Sequence, residues 1–309
     1  HGIPIRINAI PLKCRQKGDI LHSMISHLME AAMQSVDSLR KKLYSVGRDY
    51  LISLLPPENA NQILDQHTGL KDGSKSSTTI NEIYAGILFS AQNVREKKNT
   101  ISAAIGGFNN LGIITEDFSP QYVLNTYENA DSIFKQVTKT LKPTGNINKA
   151  QNGTWPKYCR TIYTAAQFMA RFSDGDDFYT WANRMYEDDR CMDALPLLLQ
   201  HEIHGVGYAL ACDFLKEKGF IHYGKPDTHV INILSKVGLC LENADMREFQ
   251  REIRAIATAT GESAYHIDKI LWLLGSGDFY MAEPRIKLAG IPRTKFYKHW
   301  DSILSLIHI

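Results

Sequence analysis

Between Asp19 and Gly47 apolar residues return every three or four positions, at Leu21, Met24, Ile25, Leu28, Ala32, Val36, Leu39 and Leu43. This spacing predicts one long amphipathic helix with Asp19 as its N-cap. Ahead of it, Ile3, Ile5 and Ile7 alternate as a strand would, but Pro4 and Pro11 interrupt the pattern and the segment reads as an arm. Pro56–Pro57 breaks the chain again, and Gly69 to Thr79, with Asp72–Gly73 and Ser74, Ser76 and Ser77, reads as an exposed loop and a boundary. Helical spacing then dominates. It predicts a helix over Asn81–Gln92 with Ile83, Ile87 and Leu88 inward, and one over Gln121–Leu141 ended by Lys142–Gly145. Beyond the polar linker Asn146–Gly153, a helix over Trp155–Phe172 runs into the acidic turn Asp174–Asp177. Two further helices carry Phe249, Ile253 and Ile256, and Ala264, Ile267, Leu271 and Leu274. With no internal repeat and almost no strand pattern, the expected fold class is all-α, in two lobes.

Composition narrows the function classes. An apolar share of 44% and a charged share of 22% are ordinary for a globular protein, and no apolar run approaches the roughly 18 residues of a membrane span. No membrane association is expected. The five cysteines form no C-x-x-C pair, which argues against a disulfide framework and a zinc or iron–sulfur site, and points to a reducing cytoplasm or nucleus. The chain opens on His1, which reads as a cropped start, and Ile3–Ile10 is too short for the apolar core of a signal peptide. A net charge of +2 decides nothing about nucleic acid, because the local field matters. Basic residues gather at Arg40–Lys42, Arg95–Lys98, Lys135 to Lys149, and Arg285 to Lys298, where Phe296, Tyr297 and Trp300 are interleaved in a mixture suited to phosphates and base stacking.

The chemistry concentrates in Leu195–Leu234. A helix over Leu197–Glu202 turns through Ile203–His204–Gly205–Val206–Gly207 into a second helix whose inward face is Val206, Leu210, Phe214 and Leu215, closed by Gly219. Gly205 and Gly207 would permit a tight turn with φ values that a Cβ would disfavour, with Val206 tucked inward and the backbone N–H groups of the second helix facing one phosphate. Eighteen positions beyond Ala209 stands Asp227, within Lys225–Pro226–Asp227–Thr228–His229–Val230. As a short polar residue before an apolar-periodic run, Asp227 or Thr228 is a natural N-cap. The same carboxylate could stabilise an oxocarbenium-like sugar or orient an attacking water. His201, Glu202 and His204 do not have the spacing of H-E-x-x-H, so no metal is expected.

The hairpin followed by Asp-Thr-His resembles the helix-hairpin-helix DNA glycosylases of the endonuclease III type. Ile87–Gln92 is similar to that superfamily's early Leu-Ser-x-Gln helix, and Leu271–Gly275 to its late helix. The resemblance covers residues 80–282 as a glycosylase-like core, leaving 1–79 as an N-terminal extension and 283–309 as a basic, aromatic tail. It implies a DNA glycosylase of base excision repair acting on double-stranded DNA with a damaged, modified or mismatched base. Asp227 would be catalytic, Gly205, Val206 and Gly207 would bind DNA, and Gln92 would enter the stack beside an extruded base. Bifunctional members carry a lysine nucleophile where this chain has Ala209, and the family's four-cysteine iron–sulfur loop has no counterpart after Cys240. The resemblance therefore implies a monofunctional, water-using enzyme without a cluster; the hairpin could hold a monovalent cation, and a monomer is expected. Tyr158, Tyr163, Phe168, Phe172, Tyr179, Trp181 and Tyr186 could wall a base pocket but read first as core, so the base excised stays open. Two rival readings stand beside this one: a non-catalytic DNA-binding protein that keeps the hairpin as a phosphate clamp, and a helical scaffold in which Gly205–Gly207 is only a turn.

Overall fold

Two hydrophobic cores organise the chain, and the path between them sets up the site. In the computed structural model residues 12–69, 79–92, 100–145, 147–290 and 292–305 are described. The helices in chain order are α1 (Leu12–Ser53), α2 (Ala60–Thr68), α3 (Ile80–Ala91), α4 (Thr100–Ala104), α5 (Gly112–Thr115), α6 (Pro120–Thr126), α7 (Ala130–Gln136), α8 (Thr154–Met169) and α9 (Gly175–Tyr186). They continue with α10 (Ala194–Glu202), α11 (Tyr208–Glu217), α12 (Thr228–Lys236), α13 (Met246–Thr260), α14 (Ala264–Ser276) and α15 (Pro292–Ser305). Before α15, Asp278–Phe279 pairs antiparallel with Ile286–Lys287, a ladder too short to change the class. The fold is all-α.

The first core joins α3 to α11, from Ile83, Tyr84 and Ile87 through Ile162, Phe178 and Leu199 to Phe214, Leu215 and Tyr223. The second gathers Leu43, Leu51 and Leu64 from α1 and α2 with Ile233, Ile253, Leu271 and Trp300 from α12 to α15. Residues read as an extension and a tail thus contribute to one lobe. The sequence division at 79 and 282 cuts through this core, because helices far apart in the chain share one apolar interior. Phe296 and Trp300 are buried in it and are not available for base stacking.

Three local readings also need correction. Asp19 lies inside α1, which runs on past Gly47 to Ser53. At Gly47 a Cβ would sit 2.9 Å from Leu274 Cδ1, so the glycine lets α1 approach α14, and packing outweighs the roughly 1 kcal/mol helical cost of glycine. The single helix expected over Gln121–Leu141 is divided at 127–129, where Asn129 accepts from the Asp131 and Ser132 N–H groups at 3.0 and 3.1 Å and starts α7 afresh. Asp174 is less a loop residue than a cap: its Oδ1 accepts from Asp177 N–H at 2.9 Å and opens α9. The arm, most of the 69–79 loop and the Arg95–Lys98 cluster lie outside the described residues. Among those described, no helix is long and apolar enough to cross a membrane.

Candidate active site and nucleic-acid interface

The second helix of the hairpin begins with an uncapped end. α10 and α11 pack on each other across Ile203–Gly207, with Val206 buried and its N–H donating to Ile203 O at 3.1 Å. Gly205 has φ +82°, and a Cβ there would lie 2.7 Å from Thr161 Oγ1 on α8, so both conformation and space require glycine. Gly207 differs from the expectation. Its φ of −80° suits any residue and a Cβ would meet nothing within 4 Å. What glycine supplies at 207 is clear space in front of α11, whose first N–H groups receive no side-chain cap and so lack an acceptor from the helix end itself. α8 backs the turn: Thr164 Oγ1 accepts from His204 N–H at 3.0 Å, and Arg160 Nε donates to His204 Nε2 at 3.1 Å.

These two glycines give opposite expectations. Gly205→Ala should cost at least about 1–2 kcal/mol of stability, the penalty of a Cβ in the left-handed region before the close contact with Thr161 Oγ1 is added. Gly207→Asp should preserve or slightly raise stability, because aspartate is a good N-cap, yet weaken duplex binding across all sequences by placing negative charge where a phosphate would sit. Urea unfolding and fluorescence anisotropy at low salt measure the two effects; wild-type affinity in folded Gly207→Asp would remove the hairpin as the DNA clamp.

Asp227 is placed by a strap between the lobes, residues 221–227. It caps α12, with Oδ1 accepting from His229 N–H at 2.9 Å and Val230 N–H at 3.2 Å, which leaves Oδ2 outside the cap. The strap is tied to the second lobe at successive points. Tyr265 N–H donates to Ile221 O at 3.0 Å, Gly224 N–H to Gln250 Oε1 at 3.2 Å, and Lys225 N–H to Asp268 Oδ1 at 2.9 Å. It is tied to α11 through Lys225 Nζ, which lies 3.2 Å from Asp213 Oδ2. Asp213 is one helical turn beyond Ala209, so the strap is anchored to α11 two residues before Asp227 and one turn from position 209.

A charge network fills the junction beneath. Lys216 on α11 donates to Asp268 on α14 in a short contact and lies 3.2 Å from Asp213, and Lys269 lies 3.0 Å from Glu217 with its ammonium over the Tyr265 ring. Burial alone would lower the Lys216 amine, but the carboxylates of Asp268 and Asp213 hold it well above its ordinary value. Burial pushes the Asp213 carboxyl up, and the ammonium groups of Lys225, Lys216 and Lys269 outweigh it, leaving it below the usual carboxylate range. Lys216, Lys225 and Lys269 thus each lie within ion-pair distance of a carboxylate.

Gln92 is not displayed as an outward wedge. It is buried, and Oε1 accepts from the N–H (3.1 Å) and hydroxyl of Ser102. Its Nε2 has no partner among the described residues. Tyr158 and Phe168 are core, with Tyr163, Phe172, Tyr179, Trp181 and Tyr186 packed against the same interior. No cluster of His, Cys, Asp and Glu suited to a metal occurs among the described residues. Asp213 and Asp268, and the burial of Lys216 against them, are not foreseen from the sequence. The available signal was charge out of place: Asp268 and Lys269 interrupt the apolar run between Ile267 and Leu271, and Lys216 follows Leu215 on an inward face.

No protein-family model matches the chain, and no curated protein does. Among solved structures it is similar to the Methanocaldococcus jannaschii 8-oxoguanine glycosylase/lyase in complex with a 15mer DNA containing 8-oxoguanine, with TM-score 0.48 and 14% identity over 73% of this chain and 95% of that one. A second structure of the 8-oxoguanine DNA glycosylase from that organism gives 0.48 and 14% over 81% and 96%. The 8-oxoguanine DNA glycosylase of Thermotoga maritima gives 0.42 and 15% over 80% and 96%. At these identities and scores the likeness assigns neither substrate nor activity to this chain.

Proposed function

We propose that this protein is a DNA N-glycosylase that holds duplex DNA through the α10–α11 hairpin and hydrolyses the N-glycosidic bond of an extruded base with Asp227. One observation supports the reading: Asp227 caps α12 at the end of a strap tied to α11 through Lys225 and Asp213, and α11 itself begins at the hairpin with no side-chain cap on its first N–H groups. With Oδ1 engaged in the cap, Oδ2 is the atom available to orient water or to stabilise positive charge developing on the sugar. Hydrolysis is favoured over covalent catalysis because Ala209 has no amine and Lys216, Lys225 and Lys269 are each paired with a carboxylate. A nucleophilic lysine must be neutral to attack the sugar.

The experiment is base release from duplexes carrying alkylated bases, 8-oxoguanine, uracil and mismatched bases, scored before and after alkali. The expected result is strand cleavage only after alkali on at least one duplex; no release from any of them would overturn the assignment. Borohydride added to the protein and a natural abasic-site duplex should trap no covalent adduct. A trapped adduct would mean that an amine of the protein acts as the nucleophile and would contradict the water-using reading.

A further inference from the structure

We infer that Asp268, neutralised by Lys216, is the positioning residue of Asp227: its carboxylate fixes the strap that delivers the catalytic group. The inference rests on the proposed role of Asp227 and adds the means by which it is aimed. Asp268 is almost completely buried on α14, and its two oxygens perform different tasks. Oδ2 takes the Lys216 ammonium, and Oδ1 takes the backbone N–H of Lys225, two residues before Asp227. Gly224 makes this approach feasible, since a Cβ there would lie 2.9 Å from Asp268 Cβ and 3.2 Å from Ala264 O. Pro226 cannot donate an N–H, so the Lys225 bond is the last backbone donation to the second lobe before the catalytic residue.

The energetics favour a positioning role over a stabilising one. A buried ion pair recovers little of its desolvation cost, and apolar residues of similar volume often do as well or better for stability. An acceptor for the Lys225 N–H, however, must be polar, and a polar atom at this depth brings a charge that Lys216 then balances. The pair links α11, the strap and α14, so the aim of Asp227 is set by both lobes together.

Two paired substitutions separate acceptor from charge. Lys216→Met with Asp268→Leu removes both charges and the acceptor; Lys216→Met with Asp268→Asn removes both charges and retains an acceptor for Lys225 N–H. In the first, hydrogen–deuterium exchange of peptides spanning 222–231 should accelerate while α11 and α14 keep their protection. Single-turnover excision of the duplex that the wild type processes should fall about tenfold or more, since an ångström of misplacement can cost a hundredfold. Affinity for a tetrahydrofuran abasic-site duplex should not change. The asparagine variant should restore both protection and rate, which a role in stability alone would not require. Wild-type excision and protection in the leucine variant would overturn the inference. If that variant does not fold, the asparagine variant decides: a tenfold loss of excision with 222–231 still protected would show that charge rather than the acceptor matters. Asp227→Asn serves as the control for the underlying reading. Full activity there would remove Asp227 as catalyst, and the exchange data would still report whether Asp268 holds the strap.

Discussion

Lys216→Ala is expected to destabilise the protein by about 3–5 kcal/mol at neutral pH, the usual result of stripping one partner from a buried pair. Lys216 is 5% exposed and donates to Asp268, itself 1% exposed, so the deletion leaves a carboxylate in the junction between lobes with Lys269 as the nearby remaining cation. Asp213 suffers less because Lys225 still pairs with it. The deficit should depend on pH in a definite direction. Burial raises the Asp268 carboxyl above its ordinary value even with Lys216 and Lys269 opposing it, and removing Lys216 raises it further. A carboxyl with a raised folded-state pKa binds its proton more readily in the native than in the unfolded chain, so acidification favours the native state. The gap between Lys216→Ala and wild type should therefore narrow as the pH falls from neutrality toward the carboxylate range. Urea unfolding at several pH values checks this; a gap that widens on acidification, or a cost near zero at pH 7, would show that Lys216 is not the counter-charge.

Local rules made some of this legible in the sequence and long-range packing hid the rest. The hairpin could be read because the left-handed backbone angle at Gly205 is a local requirement, whereas the close approach of Thr161 that also demands glycine there is not. Asp227 could be read as a cap because capping also depends on a few neighbouring residues. Gly207 was assigned the wrong reason, since a backbone angle cannot be told from a need for open space by residue type alone. The partnership of α1 with α13 and α14 lay out of reach: Arg40 binds Glu252 through two bonds of 2.7 Å across 212 residues of chain. Gln92 shows the same limit at shorter range, because the hydroxyl it binds belongs to Ser102, ten residues further along the chain.

Asp227→Asn should lower excision by roughly a hundredfold or more, the scale lost when a charged or dipolar group aimed at a transition state is removed from an enclosed site. The substitution is nearly isosteric, and an asparagine Oδ1 can still accept from His229 and Val230 N–H, so the start of α12 should persist. Folding and abasic-site binding should therefore stay close to wild type, separating a chemical defect from a structural one. The hairpin is untouched by the change, and its phosphate contact should be unaffected. What disappears is the negative charge on Oδ2, the oxygen that the cap does not use. The direct test is single-turnover excision by wild type and Asp227→Asn at saturating protein, on the duplex that the wild type processes. The account predicts a folded, DNA-binding variant whose excision is at least about a hundredfold slower; a variant that excises at the wild-type rate would contradict it.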